Sequence, residues 1–123
     1  MRSKNLITFT ASLLFMVIVA SVIAAMIAYN LQTAKVNNYV ALTELKTCIA
    51  AEDAYYEDHS RYTKDVEALS PYGFRNHCPD VKLVITLYSY NYNHKYSITT
   101  MHRNGDKVYT YTINGLVDSS PKS

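Results

Sequence analysis

Asn5 to Ala34, NLITFTASLLFMVIVASVIAAMIAYNLQTA, runs thirty residues without a charge, and most of them are strongly apolar. Arg2 and Lys4 stand just before it and Lys35 just after. A helix rises about 1.5 Å per residue, so about 20 apolar residues cross the hydrocarbon core of a bilayer. Residues 6–31 are long enough to do so with length to spare for tilt, and they predict one membrane-spanning helix. A cleaved secretory signal is the competing reading. Its apolar region would run about 7–15 residues and end in a small-x-small site, and this run is about twice that long. Near matches such as Ala24-Ala25-Met26 put a large residue where a small one is needed. The two cations ahead of the span place the N-terminus on the cytoplasmic side and everything after Asn30 outside.

The layout expected is a cytoplasmic N-terminus over 1–5, a transmembrane helix over 6–31, a globular domain over 32–118 that includes the outer half of the helix, and a tail over 119–123. About 90 residues outside the membrane suffice for one small domain with a thin core. All ten acidic residues and ten of the twelve basic ones lie from Lys35 onward, so that domain is formally neutral. The net charge of +2 comes from Arg2 and Lys4, which removes it as an argument for nucleic acid or another anionic partner. The topology puts both cysteines, Cys48 and Cys78, in an oxidising compartment, where a pair usually means a disulfide. A Cys48–Cys78 bond would close a loop of about 30 residues and stabilise the domain by about 3–4 kcal/mol in the chain-entropy model. The spacing is not Cys-x-x-Cys, which argues against a redox pair.

No glycine or proline precedes Pro71, and such a stretch suits one long helix reaching about Asp58. Beyond the membrane, Asn38, Ala41, Leu42, Leu45, Cys48, Ile49, Glu52, Tyr55 and Tyr56 follow helical spacing and form one largely apolar stripe. That stripe must lie against something, and a sheet follows in the sequence. Asp65 to Leu69 suit a short helical turn, broken at Ser70-Pro71-Tyr72-Gly73. Val81, Leu83, Ile85 and Leu87 alternate with their neighbours as in a half-buried strand. Asn91-Tyr92-Asn93 reads as a turn, residues 96–101 as a second strand and residues 108–113 as a third. Asn104-Gly105 between them is a strong signal for a type I′ turn, which needs positive φ at both central residues. The fold class is α+β: a long N-terminal helix packed on a three- or four-stranded antiparallel sheet. Leu45, Ile49, Tyr56, Leu69, Leu83, Ile85 and Leu87 are the expected core.

Glu52-Asp53-Ala54-Tyr55-Tyr56-Glu57-Asp58-His59-Ser60-Arg61-Tyr62-Thr63, continuing to Leu69, resembles the end of the long helix and first loop of type IV pilins. Ala41-Leu42-Thr43-Glu44-Leu45-Lys46 is similar to the pilin stretch just outside the membrane, and Asn104 to Tyr111 resembles the last hairpin of small bacterial pilins. The resemblance implies a helix packed by its outer half on an antiparallel sheet, in subunits that stack helix against helix into a filament. It implies a bacterial inner-membrane protein with a periplasmic C-terminal domain, extracellular where the chain joins a pilus. It also implies no enzyme activity, no cofactor and no small-molecule substrate. The partners would be the membrane and pilin-like subunits, in homo- or hetero-oligomers.

The chain departs from the family at its start. Pilins are cut after a glycine that precedes Phe-Thr-Leu-Ile-Glu. Thr8-Phe9 falls at that processing position, but Thr8 replaces the glycine and Leu13 stands where the glutamate belongs. These departures are coupled. A cut creates a charged amine inside an apolar filament, which the family glutamate is thought to neutralise, because a lone buried charge is costly. A chain that stays uncut needs no such partner, which fits a pilin-like or pseudopilin-like accessory that remains in the membrane. Ala20, Ser21, Ala24, Ala25 and Ala28 let helices approach closely, which suits helix–helix association in lipid.

Twelve tyrosines invite a search for a binding surface. Packing in strands is the plainer account, but Tyr88, Tyr90, Tyr109 and Tyr111 also make a candidate partner surface on the sheet. His59, His77, His94 and His102 form no metal-binding spacing, so no metal site is expected. Glu52 falls on the apolar stripe and needs a buried partner. No nucleophile and base, phosphate loop or basic aromatic stripe is readable. The reading is a pilin-like structural or accessory subunit of a type IV pilus or type II secretion-like machine. The alternative is a membrane-anchored extracytoplasmic binding module that does not polymerise.

Overall fold

The computed structural model describes residues 2–75, 77–112, 114–115 and 117–123. The chain divides into two compact units, Met1–Thr33 and Ala34–Ser123. One α-helix, α1, spans Arg2–His59 without interruption. A 3-10 helix follows at Glu67–Tyr72, then four strands: β1 at Val81–Tyr90, β2 at Asn93–His102, β3 at Lys107–Tyr111 and β4 at Val117–Pro121.

In the first unit, every side chain described from Lys4 to Gln32 is exposed. The helix here is long and apolar enough to cross a membrane, with a mean hydropathy of 2.7 in its most apolar window. The hydroxyls of Thr8, Thr10, Ser21 and Thr33 bond back to the helix backbone. Thr8 Oγ1 donates to Lys4 O at 2.9 Å and Ser21 Oγ to Val17 O at 2.9 Å. Such back-bonding removes the penalty an unpaired hydroxyl would meet in hydrocarbon.

In the second unit, Asn38, Ala41, Leu45, Cys48, Glu52 and Tyr55 are buried at alternating steps of three and four residues. That spacing gives one stripe along a helix, and the stripe faces the sheet. Ala41 is small enough for the sheet to come within hydrogen-bond reach of the helix backbone: Thr100 Oγ1 donates to Ala41 O at 2.9 Å. The helix ends at Ser60, whose φ of 56° is left-handed and whose N–H returns to Tyr56 O at 2.8 Å. The 3-10 helix ends at Gly73, where φ is 102°. It delivers Leu69, fully buried, into the core.

The sheet is an antiparallel meander in the order β1-β2-β3-β4. Ile85 pairs with Ile98 and Ile98 with Tyr111, and Leu83 pairs with Thr100 and Thr100 with Tyr109. Those residues share the helix-facing side. Of the expected core, Leu45, Leu69 and Ile85 are buried, while Ile49 and Leu83 pack partly buried against it. Tyr56 and Leu87 are instead 41% exposed. Tyr55 takes the inward position, one step round the helix, and stacks on His59 with ring centroids 4.0 Å apart.

Three further expectations are corrected. The type I′ geometry is at Asn91-Tyr92, with φ of 51° and 65°, while Asn104-Gly105 has no positive φ. Gly105 is required for a different reason: a Cβ there would overlap Asn38 Oδ1. The stretch read as a tail over 119–123 contributes most of β4, which pairs Lys107 with Pro121 and Tyr111 with Val117. Ile113, expected to close the third strand, lies outside the described residues. Finally, there is no Cys48–Cys78 disulfide; both cysteines are free. Glu44 ties the segment down in its place, accepting the Cys78 N–H at Oε1 and bonding His77 Nδ1 at Oε2, 2.6 Å away.

Tyr92 is fully exposed in a left-handed conformation that side chains other than glycine and asparagine disfavour. Tyr92→Gly should therefore stabilise the domain by about 1 kcal/mol. A thermal melt of both forms checks it, and a lower melting temperature would contradict the turn assignment.

Candidate functional site

Along the first unit, Ala20, Ser21, Ala24, Ala25 and Ala28 are all exposed. Thr8 and Phe9, at the expected processing position, lie inside the continuous helix rather than in a loop. Extended backbone is what a peptidase needs, so a cut there would first require local unwinding.

In the second unit, the tyrosines expected to form one partner surface are divided between faces. Tyr88 pairs with Lys95 on the face away from the helix. Tyr109 is buried and Tyr111 half-buried on the helix-facing side. The Tyr90 side chain lies outside the described residues. The sheet instead builds an aromatic ladder that sequence spacing does not reveal. Tyr56 stacks on Tyr62 at 4.7 Å, Tyr62 meets Tyr96 at 4.5 Å, and Tyr96 stacks on Tyr111 at 5.5 Å. The ladder joins the helix end, the following loop, β2 and β3. Burial first, then the nearby Asp53 charge, pushes the Tyr96 phenol well above its ordinary pKa. It stays protonated and donates to Asp53 Oδ1 at 3.3 Å.

Glu52 lies under this ladder and is fully buried. Its Oε2 accepts the Thr63 N–H at 3.1 Å, which pins the loop, and its Oε1 has no hydrogen-bond partner among the described residues. Burial pushes its carboxyl up to about 7, against the lowering effect of the Thr63 bond and with a raising contribution from Asp53. Burial, with Glu52 and Glu44 adding negative charge, pushes the Cys48 thiol up to about 12. Cys48 is thus a thiol at neutral pH, unsuited to nucleophilic or redox work.

Cys78, Asp80 and His102 each place one potential metal-ligand atom within 4.8 Å of the others. Sequence spacing missed this group because His102 joins it only through the pairing of Val81 with His102. The surrounding bonds oppose a metal. The Asn104 N–H donates to His102 Nδ1 at 3.0 Å, so the neutral ring carries its proton on Nε2 and offers no second lone pair. Asp80 Oδ1 already faces the Arg103 guanidinium at 3.8 Å.

A small cavity opens where the loop after α1 meets the β1–β2 hairpin, lined by Arg61, Tyr62, Leu87, Tyr88, His94 and Lys95. Among the described residues, Tyr88 is the expected partner-surface tyrosine that lines it. No protein-family model matches this chain, and no characterised protein is similar to it at a significant level.

Proposed function

We propose that this chain is a pilin-like, membrane-anchored subunit or accessory of a type IV pilus or type II secretion-like machine. One observation carries the reading. A single uninterrupted helix, Arg2–His59, is apolar and exposed through its first unit and supplies the core stripe of an antiparallel sheet domain in its second. One element that both anchors a domain and forms its core couples the domain to whatever its membrane half packs against. The Ala20 to Ala28 stripe supports helix–helix contact there. The bacterial inner membrane, with the domain in the periplasm, follows from the pilin resemblance and from Arg2 and Lys4 ahead of the span. A structural role without enzyme activity, cofactor or small-molecule substrate belongs to the same reading.

The test is affinity capture of the tagged chain from detergent-solubilised membranes of its own cells. Recovery with pilin-like subunits or their assembly platform is the expected result. Capture of the chain alone, together with a rise in melting temperature on adding a soluble ligand, would favour the non-polymerising binding module. The cavity beside the hairpin is the observation that favours that second reading.

A further inference from the structure

The meander has two edges, β1 and β4, and their backbones are left in different states. In an antiparallel ladder alternate residues turn N–H and C=O to one neighbour, and the residues between turn theirs away. β4 is five residues long, and the bond from the Lys122 N–H to Asp106 O at 2.8 Å fixes its alternation. Val117, Ser119 and Pro121 therefore face outward. The Ser119 N–H is taken by Asp118 Oδ1 at 2.8 Å, and Pro121 has no N–H to offer. Such capping closes most of this edge to a further strand.

β1 is open. It is ten residues long and pairs with β2 throughout, without a bulge or a proline. The bond from the Arg103 N–H to Asp80 O at 2.8 Å sets the alternation. Lys82, Val84, Thr86 and Tyr88 turn their backbone to β2, so Leu83, Ile85 and Leu87 turn theirs to the edge. Just before them, the Val81 N–H is taken by Cys78 O at 3.0 Å. Among the described residues no bond from outside the sheet reaches the N–H or C=O of Leu83, Ile85 or Leu87. Apolar surface lies beside this row, with Val84 46% and Leu87 41% exposed. Lys82, the one charge on β1, is exposed and has no carboxylate at ion-pair distance among the described residues.

We infer that the edge of β1 takes up one extended strand of another protein, antiparallel, as a fifth strand of the sheet. The row of backbone groups supplies affinity and the flanking side chains supply choice. Residues opposite Leu83, Ile85 and Leu87 share the helix-facing side and are apolar. Those opposite Val84 and Thr86 are β-branched, and the one opposite Lys82 is acidic. A second copy of this chain fits less well. β1 runs the same way as the helix, from the Cys78 N–H bonded to Glu44 up to Leu87, whose partner Tyr96 bonds Asp53. Two β1 strands paired antiparallel would put the two Ala34 ends, where each chain leaves its anchor, at opposite ends of the pair. A copy's other edge is the capped β4. Strand addition at β1 is independent of whether the anchored chain assembles with other subunits.

The test is amide hydrogen exchange, read by NMR on the full chain in detergent micelles, with and without the peptide Thr-Leu-Thr-Ile-Val-Val-Glu. Its glutamate is set to meet Lys82. In the free chain the Leu83, Ile85 and Leu87 amides should exchange about tenfold or more faster than those of Val84 and Thr86. Saturating peptide should slow those three about tenfold and leave Val117 unchanged. The same peptide N-methylated at the three residues facing Leu83, Ile85 and Leu87 should not bind. Lys82→Glu should weaken binding about threefold. Should that variant fail to fold, a peptide ending in glutamine reads the same contact. Amides already protected in the free chain, equal binding of the N-methylated peptide, protection at β4 instead, or affinity indifferent to the charge at Lys82 would each overturn the inference. Protection that grows with protein concentration without peptide would do so too, by assigning the edge to a second copy.

Discussion

Glu52→Gln should make the domain more stable at pH 7.5 by about 2 kcal/mol and abolish most of its pH dependence between about 4.5 and 7. Glu52 is fully buried, with one oxygen bonded to the Thr63 N–H and the other without a partner among the described residues. Its carboxyl is raised from 4.5 to about 7 in the folded chain, chiefly by burial. The folded state thus holds this proton more tightly than the unfolded state does. A raised pKa contributes stability that is complete below the unfolded value and is lost as pH climbs through the folded one. With respect to this group the wild type should therefore be most stable below about pH 4.5 and weaken towards pH 7.5. Glutamine keeps the acceptor for Thr63 and removes the charge. Denaturation midpoints across pH 4.5 to 8 check this. A variant with the same pH slope as the wild type would show that another group is responsible.

Asn38→Ala should cost about 2–3 kcal/mol, because one buried side chain closes the loop between β2 and β3. Asn38 Oδ1 accepts the Asp106 N–H at 3.0 Å and the Lys107 N–H at 3.2 Å, while its Nδ2 donates to Asp106 Oδ1. Removing the amide strands two backbone donors at once. Gly105→Ala attacks the same contact from the other side, since its Cβ would overlap Asn38 Oδ1. The two substitutions should therefore be non-additive: once Asn38 is alanine, Gly105→Ala should cost much less than in the wild type. Chemical denaturation of the four proteins in this cycle measures it, and strictly additive losses would separate the glycine from the asparagine.

The long helix is legible because its signal is cumulative: seventy residues without glycine or proline, then a stripe of alternating three- and four-residue steps. β1 is legible for the same reason, through the period-two alternation of Val81, Leu83, Ile85 and Leu87. The turns mislead. Asn104-Gly105 carries the strongest local hairpin signal, yet its glycine answers a contact with Asn38, which lies 67 residues earlier and leaves no local trace. Asn91-Tyr92-Asn93 is legible as a turn, but its two left-handed residues include a tyrosine, which no propensity argument would place there. β4 is VDSSP, exposed throughout, and forms by backbone pairing alone, so no apolar pattern marks it.

At the candidate sites, residue type is readable and juxtaposition is not. Glu52 stands out on its stripe as an acid needing a buried partner, and Thr63 proves to be one. Two cysteines on the outer side of a membrane suggest a bridge, but they carry no information on Glu44, which holds the Cys78 segment instead. Arg61 and His94 are ordinary surface residues in sequence and come to line one cavity only because the hairpin lies beside the loop after the helix. The sheet tyrosines separate into the helix-facing Tyr96, Tyr109 and Tyr111 and an outward Tyr88 because strand register, unknown from one sequence, decides which face each takes.

The claim that the helix anchors an outward-facing domain is tested most directly by adding protease to sealed spheroplasts of the native cells and weighing what remains in the membrane. The expected result is loss of the domain from Ala34 onward, with a membrane-embedded fragment beginning at the native N-terminus left protected. A chain that stays intact until the membrane is breached, or one released whole into the soluble fraction, would contradict it.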